Sequence, residues 1–354
     1  MRELGVEDIR AIARGAAILG SGGGGDPHIG ALMTEQAIRK NGPVPMVGID
    51  EVPDDALVVL VGGLGAPTIG VERPSAGTEA PLALKVISEL LGEPVTHLGS
   101  IEAGGINSTI PIMAAAQVGL PLVDMDGMGR AFPEVPMMIP SLMGIRNAQM
   151  VMADANGNVV IIRAIDDHWY ERFARATAIM MGCGAMTAQF AMRGHELAAT
   201  MVGGTISLCL RLGIEVESAR LAHRNPLEAA AKVLGGHLAF AGKITDVERA
   251  TKDGFARGLT TIAGTDDHAG SDLTLEFQNE HLIARIGERV LATVPDLICV
   301  LDIDSGEPIT TENLRFGQRV GVLLAPCDPR WRTEAGLKIV GPRYFGYDYD
   351  YVPV

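Results

Sequence analysis

The chain has 354 residues, a formal net charge of −14, and a composition that is 47% hydrophobic but only 4% aromatic. That length suggests about two domains with ample aliphatic core, and the acidic balance argues against nucleic acid or an anionic membrane as partner. Cys183, Cys209, Cys299 and Cys327 show no CxxC or other metal-ligand spacing, which fits a reducing cytoplasm. The start of the chain carries Arg2, Glu3, Glu7 and Asp8, so it lacks the basic opening and apolar run of a signal peptide. Apolar runs break well before the roughly 18 residues of a spanning helix, and a cytoplasmic protein that does not cross a membrane is expected.

Residues 8–19 have the spacing of an amphipathic helix, ended by the run Gly20-Ser21-Gly22-Gly23-Gly24-Gly25-Asp26-Pro27. A second helix is expected over 28–39, with 41–45 (NGPVP) as its stop signal. A glycine loop entering a helix offers N–H groups and a positive dipole to an anion, which makes Gly23, Gly24 and Asp26 candidate substrate-binding positions. It lacks the Gly-Lys-Ser/Thr ending of a phosphate loop. Since a helix and not a strand precedes it, it is a poor dinucleotide fingerprint, and a tight loop lining a cleft fits better.

Residues 56–61 (ALVVLV) read as a buried strand entering a glycine-rich loop over 62–70. A helix over 80–91, a short strand over 95–99 and a helix over 105–118 follow, and this alternation implies a parallel sheet. Glu102 and Asn107, in IEAGGINST, then sit at a strand-to-helix junction, on the sheet edge where ligands of open α/β sheets bind. The next strand, from Leu120, runs into Asp124 and Asp126, followed by Gly127, Gly129, Arg130 and Glu134. Extended residues two apart share a face, and two carboxylates so close need a cation, a shared proton or a polar substrate. Arg130 is a candidate for that cation, since its planar fork matches a carboxylate. The competing reading is a turn in which aspartate caps backbone amides and Arg130 forms a structural ion pair.

Character changes after Met143. Residues 148–153 and 158–164 form an expected hairpin across Asn156-Gly157, and a long helix over 166–181 leads to Gly182-Cys183-Gly184. Helices are expected near 195–212, 215–223 and 226–234, then strands over 240–250, 254–263, 273–278, 281–286, 297–303 and 319–324. The fold class is therefore an α/β domain with a mainly parallel sheet over 1–165, and an α+β domain over 166–354 whose strands form a sandwich or barrel. Phe345, Tyr347, Tyr349 and Tyr351 alternate strictly, as in an extended tail that packs on its own domain or on a neighbour; a homo-oligomer is expected.

The segments GSGGGGDP (20–27), EAGGIN (102–107), DMDGMGRAFPE (124–134), Gly182-Cys183-Gly184 and GPRYF (341–345) together resemble the S-methyl-thiohydantoin desulfurase-like family. Its members sit beside, or are fused to, hydantoinase/oxoprolinase proteins. The resemblance spans essentially the whole chain. It implies an N-terminal α/β domain, a β-rich C-terminal domain and a site in the cleft between them. It also implies hydrolysis at a ring carbon of a small cyclic thiourea-like or isothiourea-like substrate, releasing sulfur and leaving a hydantoin. The alternatives are an accessory subunit of a hydantoinase-type enzyme, or a non-catalytic small-molecule-binding module.

Exchange of sulfur for oxygen needs an activated water or a covalent nucleophile, and an acid for the ring nitrogen or leaving sulfur. Asp124, Asp126 and Glu102 are candidates for these proton transfers. Cys183 is a candidate nucleophile, exposed by its glycine neighbours and activated by the N-terminus of a following helix; a closely packed turn is the competing reading. Asn107, Arg130 and Glu134 join Gly23, Gly24 and Asp26 as candidate substrate contacts. The metal question stays open: the carboxylates suit magnesium, manganese or zinc, and Cys183 with a histidine would favour zinc, yet no HExxH or HxH spacing occurs.

Overall fold

Leu57 to Val61 are at most 4% exposed, and a strand apolar on both faces belongs at the centre of a sheet covered by helices. In the computed structural model, which describes residues 1–25, 27–65, 75–252 and 255–354, that strand is the hub of the first sheet. The first half of the chain runs β1 (Arg2–Leu4), α1 (Val6–Leu19), α2 (Pro27–Asn41), β2 (Val44–Val47), β3 (Leu57–Gly65), α3 (Glu79–Leu91), β4 (His97–Ser100), α4 (Ile110–Val118), β5 (Leu122–Asp126) and α5 (Ile139–Leu142). It continues through the hairpin β6 (Met150–Ala153) and β7 (Val159–Ile162), then α6 (Asp167–Met180), β8 (Gly184–Arg193), α7 (Gly194–Thr200), β9 (Val202–Gly203), α8 (Thr205–Leu221) and α9 (Pro226–Leu234).

Among the described residues the first sheet has the order β1-β2-β5-β4-β3-β8-β6-β7, with β9 pairing on β5. Its centre, β2-β5-β4-β3, is parallel, and antiparallel strands flank it. The parallel register brings Val61 opposite Ser100 and Ser100 opposite Asp126, so β4 and β5 end together while β3 runs on to Gly65 against β8.

The second sheet holds β10 (His237–Lys252), β11 (Phe255–Gly264), β12 (Asp272–Gln278), β13 (Glu280–Ile286), β14 (Arg289–Thr293), β15 (Leu297–Asp302) and β16 (Arg319–Ala325). It is wholly antiparallel, in the order β14-β13-β12-β11-β10-β16-β15. β10 pairs on both sides and carries a register shift toward each neighbour; such bulges bend a strand, and the sheet curls into a half barrel around Phe240, Ile244, Ile262, Phe277 and Val322. The strand-rich C-terminal domain expected from the sequence is thus this curled half barrel. α10 (Glu334–Val340) precedes the tail, which packs on its own chain: Tyr344 Oη donates to Glu134 and Tyr351 Oη to Asp296.

Several expectations differ from the structure. Residues 184–193 form β8, antiparallel to β3, where no strand was read; Ala and Met carry little strand propensity, and burial of Ala188, Phe190 and Met192 decides the conformation instead. The helix expected over 195–212 breaks into α7, β9 and α8, because Gly204 adopts φ +76°. α8 then runs unbroken through Gly213, where a break was expected. β2 begins inside the stretch read as a stop signal, and β14 was not foreseen. The loop expected over 62–70 begins as the end of β3, and its remainder lies outside the described residues. Among the described residues no helix is long and apolar enough to cross a membrane.

The two halves are joined by α1. It packs against α8 at backbone contact: a Cβ on Gly15 would overlap the Cys209 carbonyl, and one on Gly213 would overlap that of Ala11. Alanine at Gly15 would gain about 1 kcal/mol of helix propensity, but it must force two packed helices apart. Gly15→Ala is therefore expected to lower the unfolding free energy by about 2 kcal/mol net, as measured by urea unfolding.

Candidate functional site

β4 and β5 end side by side next to β3, so the residues that follow them meet the far end of β3. Glu102 stands two residues beyond β4 and is 5% exposed. Asn107 Nδ2 donates to its Oε1 (2.6 Å), and the Phe132 N–H donates to its Oε2 (3.3 Å). The same Asn107 side chain is clamped to the end of β3, accepting from Gly63 N (2.7 Å) and donating to Gly63 O (3.2 Å). Glu102 is thereby fixed from two sides. Burial pushes its carboxyl up to about 7, against the two hydrogen bonds and with help from the nearby Asp126 charge.

Asp126 is fully buried at the end of β5. Its Oδ2 accepts from the N–H groups of Ala103 (2.7 Å), Met128 (2.9 Å) and Gly129 (2.7 Å), so it staples the loop after β4 to the loop after β5. Burial raises it to about 7, with those three bonds opposing. Asp124 faces the start of α8, where it accepts from Ile206 N, Ser207 N and Ser207 Oγ, as a carboxylate suits a helix N-terminus. Neither aspartate lines the cavity described below.

Arg130 does not pair with either of them, contrary to the expectation that it balances their charge. Its Nε donates to Ala131 O (3.0 Å), and its Nη1 donates to Pro295 O (2.8 Å) and Asp296 O (2.7 Å). The guanidinium lies 4.8 Å over the Phe132 ring. Carbonyl oxygens reach it first because the turn at Gly129 points the side chain toward the second sheet.

A cavity of about 230 Å³ opens beside Glu102. Of the sequence-predicted residues, Gly24, Glu102, Asn107, Glu134 and Cys183 line it, whereas Gly23, Asp124, Asp126 and Arg130 do not. Asp26 lies outside the described residues. Glu134 is raised by burial and accepts from Tyr344 Oη (2.6 Å). Cys183 adopts φ +66° and its N–H donates to Ala178 O (2.8 Å). It follows the C-terminal end of α6 and precedes β8, so the helix N-terminus expected to activate its sulfur is not there.

The loop over 20–25 is tied to both sheets. Ser21 O accepts from His281 N (2.8 Å), Gly22 O from Thr311 N (2.9 Å) and Gly24 O from Ile106 N (2.8 Å), while the Gly23 N–H is spent on Gly20 O (2.9 Å). The anion nest that a glycine run can form is, at Gly23, already filled by the loop itself.

Sequence reasoning missed Glu280 and Asn279, which line the cavity from the β12–β13 turn. The available signal was a carboxylate in the two-residue gap between two buried strands. Glu280 is 2% exposed, and its Oε2 has no hydrogen-bond partner among the described residues. Burial and the Glu102 charge hold its carboxyl well above the usual range. Arg175, paired with Glu171, also lines the cavity. Among the described lining residues, Glu79, Glu102, Glu134, Asp154, Glu171 and Glu280 stand with Arg175 as the cation, a lining that suits a neutral polar ring more than an anion. Among the described residues no three His, Cys, Asp or Glu gather as a metal-ion cluster.

Asp126→Ala would leave three buried N–H groups without an acceptor, each costing about 1–3 kcal/mol, so a loss of at least about 3 kcal/mol is expected in urea unfolding at pH 7. Glu102 adds a pH dependence. Native Glu102 holds its proton to about 7, against a usual value of 4.5, so its stabilising contribution is complete at low pH and is lost as pH rises through 7. The stability advantage of wild type over Glu102→Gln is expected to shrink between pH 5 and pH 8.

Residues 7–164 match the S-Me-THD-like N-terminal domain, and residues 165–354 match the S-Me-THD-like C-terminal domain. An X-ray crystal structure of a protein from Chromobacterium violaceum is similar over 100% of both chains, with 25% identity and a TM-score of 0.84. No curated protein matches the chain.

Proposed function

From a chain that belongs to the S-Me-THD-like family, we propose a hydrolase that replaces sulfur by oxygen at the ring carbon of a thiohydantoin-type substrate, working in the cavity beside Glu102. The observation that carries this reading is Glu102 itself, a buried carboxyl near 7 on the wall of a small cavity. A carboxyl at that value is divided between its acid and base forms at neutral pH, as general acid–base chemistry needs.

Water is the nucleophile in this reading. Glu102 takes its proton as the oxygen attacks the ring carbon. Asn107 holds the carboxylate in place from the end of β3, and a fixed base needs no reorganisation at the moment of transfer. The acidic lining favours a neutral ring whose N–H groups meet carboxylates. Met128, Met138 and Met186 in the wall offer soft contacts for a methylthio substituent. The product is a hydantoin, the substrate class of the hydantoinase-type enzymes that the sequence resemblance associates with such chains.

Glu102→Gln is expected to lower release of hydantoin from an S-methylated thiohydantoin by roughly 10²–10⁴-fold, read by chromatography of the product. The wild-type kcat/KM is expected to rise with pH through about 7, because the base must be ionised, and this limb should vanish in the variant. Cys183→Ser should keep most of the wild-type rate. A Glu102→Gln enzyme as fast as wild type would overturn the reading.

A further inference from the structure

We propose that Glu280 is the general acid of this site, sharing the cavity wall with the base Glu102, so that each sheet supplies one carboxyl to the reacting ring. The assignment rests on the hydrolase reading above.

The two residues reach the same space from different sheets. Glu102 follows β4 of the first sheet, Glu280 opens β13 of the second, and both line the cavity. Neither is more than 5% exposed, and they are close enough for their charges to interact. The glycine loop makes the approach possible. A Cβ on Gly23 would overlap the Glu280 carboxyl, and one on Gly24 would overlap the backbone of Gly104. Gly23 therefore serves the site without lining it, by leaving room for a carboxyl behind the loop.

Glu280 is not a structural ion-pair partner. Arg130 spends its Nε and Nη1 on carbonyl oxygens, and both its Nη2 and Glu280 Oε2 lack hydrogen-bond partners among the described residues. Among the described residues, the charged groups that act most on Glu280 are Glu102, Arg130 and Glu312, with the adjoining His281 held neutral by burial and by Arg130. Burial and the Glu102 and Glu312 charges favour the protonated form of Glu280 against the opposing pull of Arg130. A protonated carboxyl with one unpartnered buried oxygen, on a residue that lines a cavity, is a donor awaiting an acceptor.

The proton inventory closes. As the water oxygen bonds to the ring carbon, Glu102 takes a proton from water and Glu280 gives its proton to the ring nitrogen of the C=N bond. As the carbonyl forms and the C–S bond breaks, Glu280 recovers a proton from the new hydroxyl and Glu102 delivers its proton to the departing sulfur. Water and the ring thioether have become a ring amide and a thiol, with both carboxyls restored.

The test compares Glu280→Gln with wild type on two substrates: a neutral S-methylated thiohydantoin, and the same ring alkylated at the C=N nitrogen, which is already cationic and needs no proton there. Expected are a loss of at least about 100-fold in kcat/KM on the neutral ring, a loss below about 10-fold on the alkylated ring, and disappearance of the falling limb that wild type shows at high pH. Glu280→Asp, which keeps an acid, should retain that limb, and it carries the test should Glu280→Gln fail to fold. A wild-type rate for Glu280→Gln on the neutral ring, or equal losses on both rings, would overturn the assignment and leave the hydrolase reading standing. Absence of hydrolysis by wild type with either ring would overturn both.

Discussion

The glycine-rich loop must pass between two sheets at backbone contact distance, and most of the candidate site depends on that passage. On one side it receives N–H groups of His281 and Thr311; on the other its Gly24 carbonyl receives that of Ile106. Ser21 Oγ adds a reciprocal pair with the backbone of Ile298, donating to its carbonyl and accepting from its N–H at 2.9 Å each. Main-chain polar groups buried between sheets have to find partners, and here each sheet supplies them. A side chain at Gly24 would overlap the backbone of Gly104, and one at Gly23 the Glu280 carboxyl, so the path of the loop requires Gly24 and leaves Glu280 its place beside Gly23.

The same interior holds more carboxyl than cation. Ion pairs in this protein lie mainly toward the surface, as between Arg14 and Glu217 or Arg319 and Asp304. Glu102 and Asp126 instead accept from amides, and Glu280 lies near Glu102 and Arg130 with no salt bridge among the described residues. For Asp126 three N–H groups compensate burial, which is a structural solution. For Glu280 nothing hydrogen-bonds Oε2 among the described residues, and an unsatisfied buried polar atom lowers stability. Strongly shifted carboxyls gather at functional sites, which makes the cavity that Glu280 lines the candidate site.

The sequence made the layer order legible where periodicity was strong. The apolar run ending at Val61, the EAGGIN junction and the strand into Asp126 lie together at one sheet edge, because parallel strands separated by helices have few other arrangements. Glu102 and Asn107 were visible for the same reason. Asp124 and Asp126 stood out equally, yet one caps α8 and the other staples two loops. A carboxylate in a sequence does not reveal whether its acceptor capacity goes to backbone amides or to a ligand. Glu280 was hidden in the opposite way: its neighbours in space, Glu102 and Gly23, are far from it in the chain, and the two-residue gap between strands resembled an ordinary turn.

Cys183 shows how one misread element alters a chemical inference. Read as the residue before a helix, it gained an electrostatic reason to be a nucleophile. The strand β8 removes that reason, since Gly184 pairs with Gly65 at the start of an antiparallel ladder and the preceding helix presents its carbonyl end. What remains near Cys183 is a close backbone contact, for a Cβ on Gly65 would overlap the Cys183 carbonyl. With the sulfur left in a turn and two buried carboxyls on the cavity wall, attack by water under acid–base control needs fewer special features than covalent catalysis. It uses groups whose proton affinities the fold has already shifted.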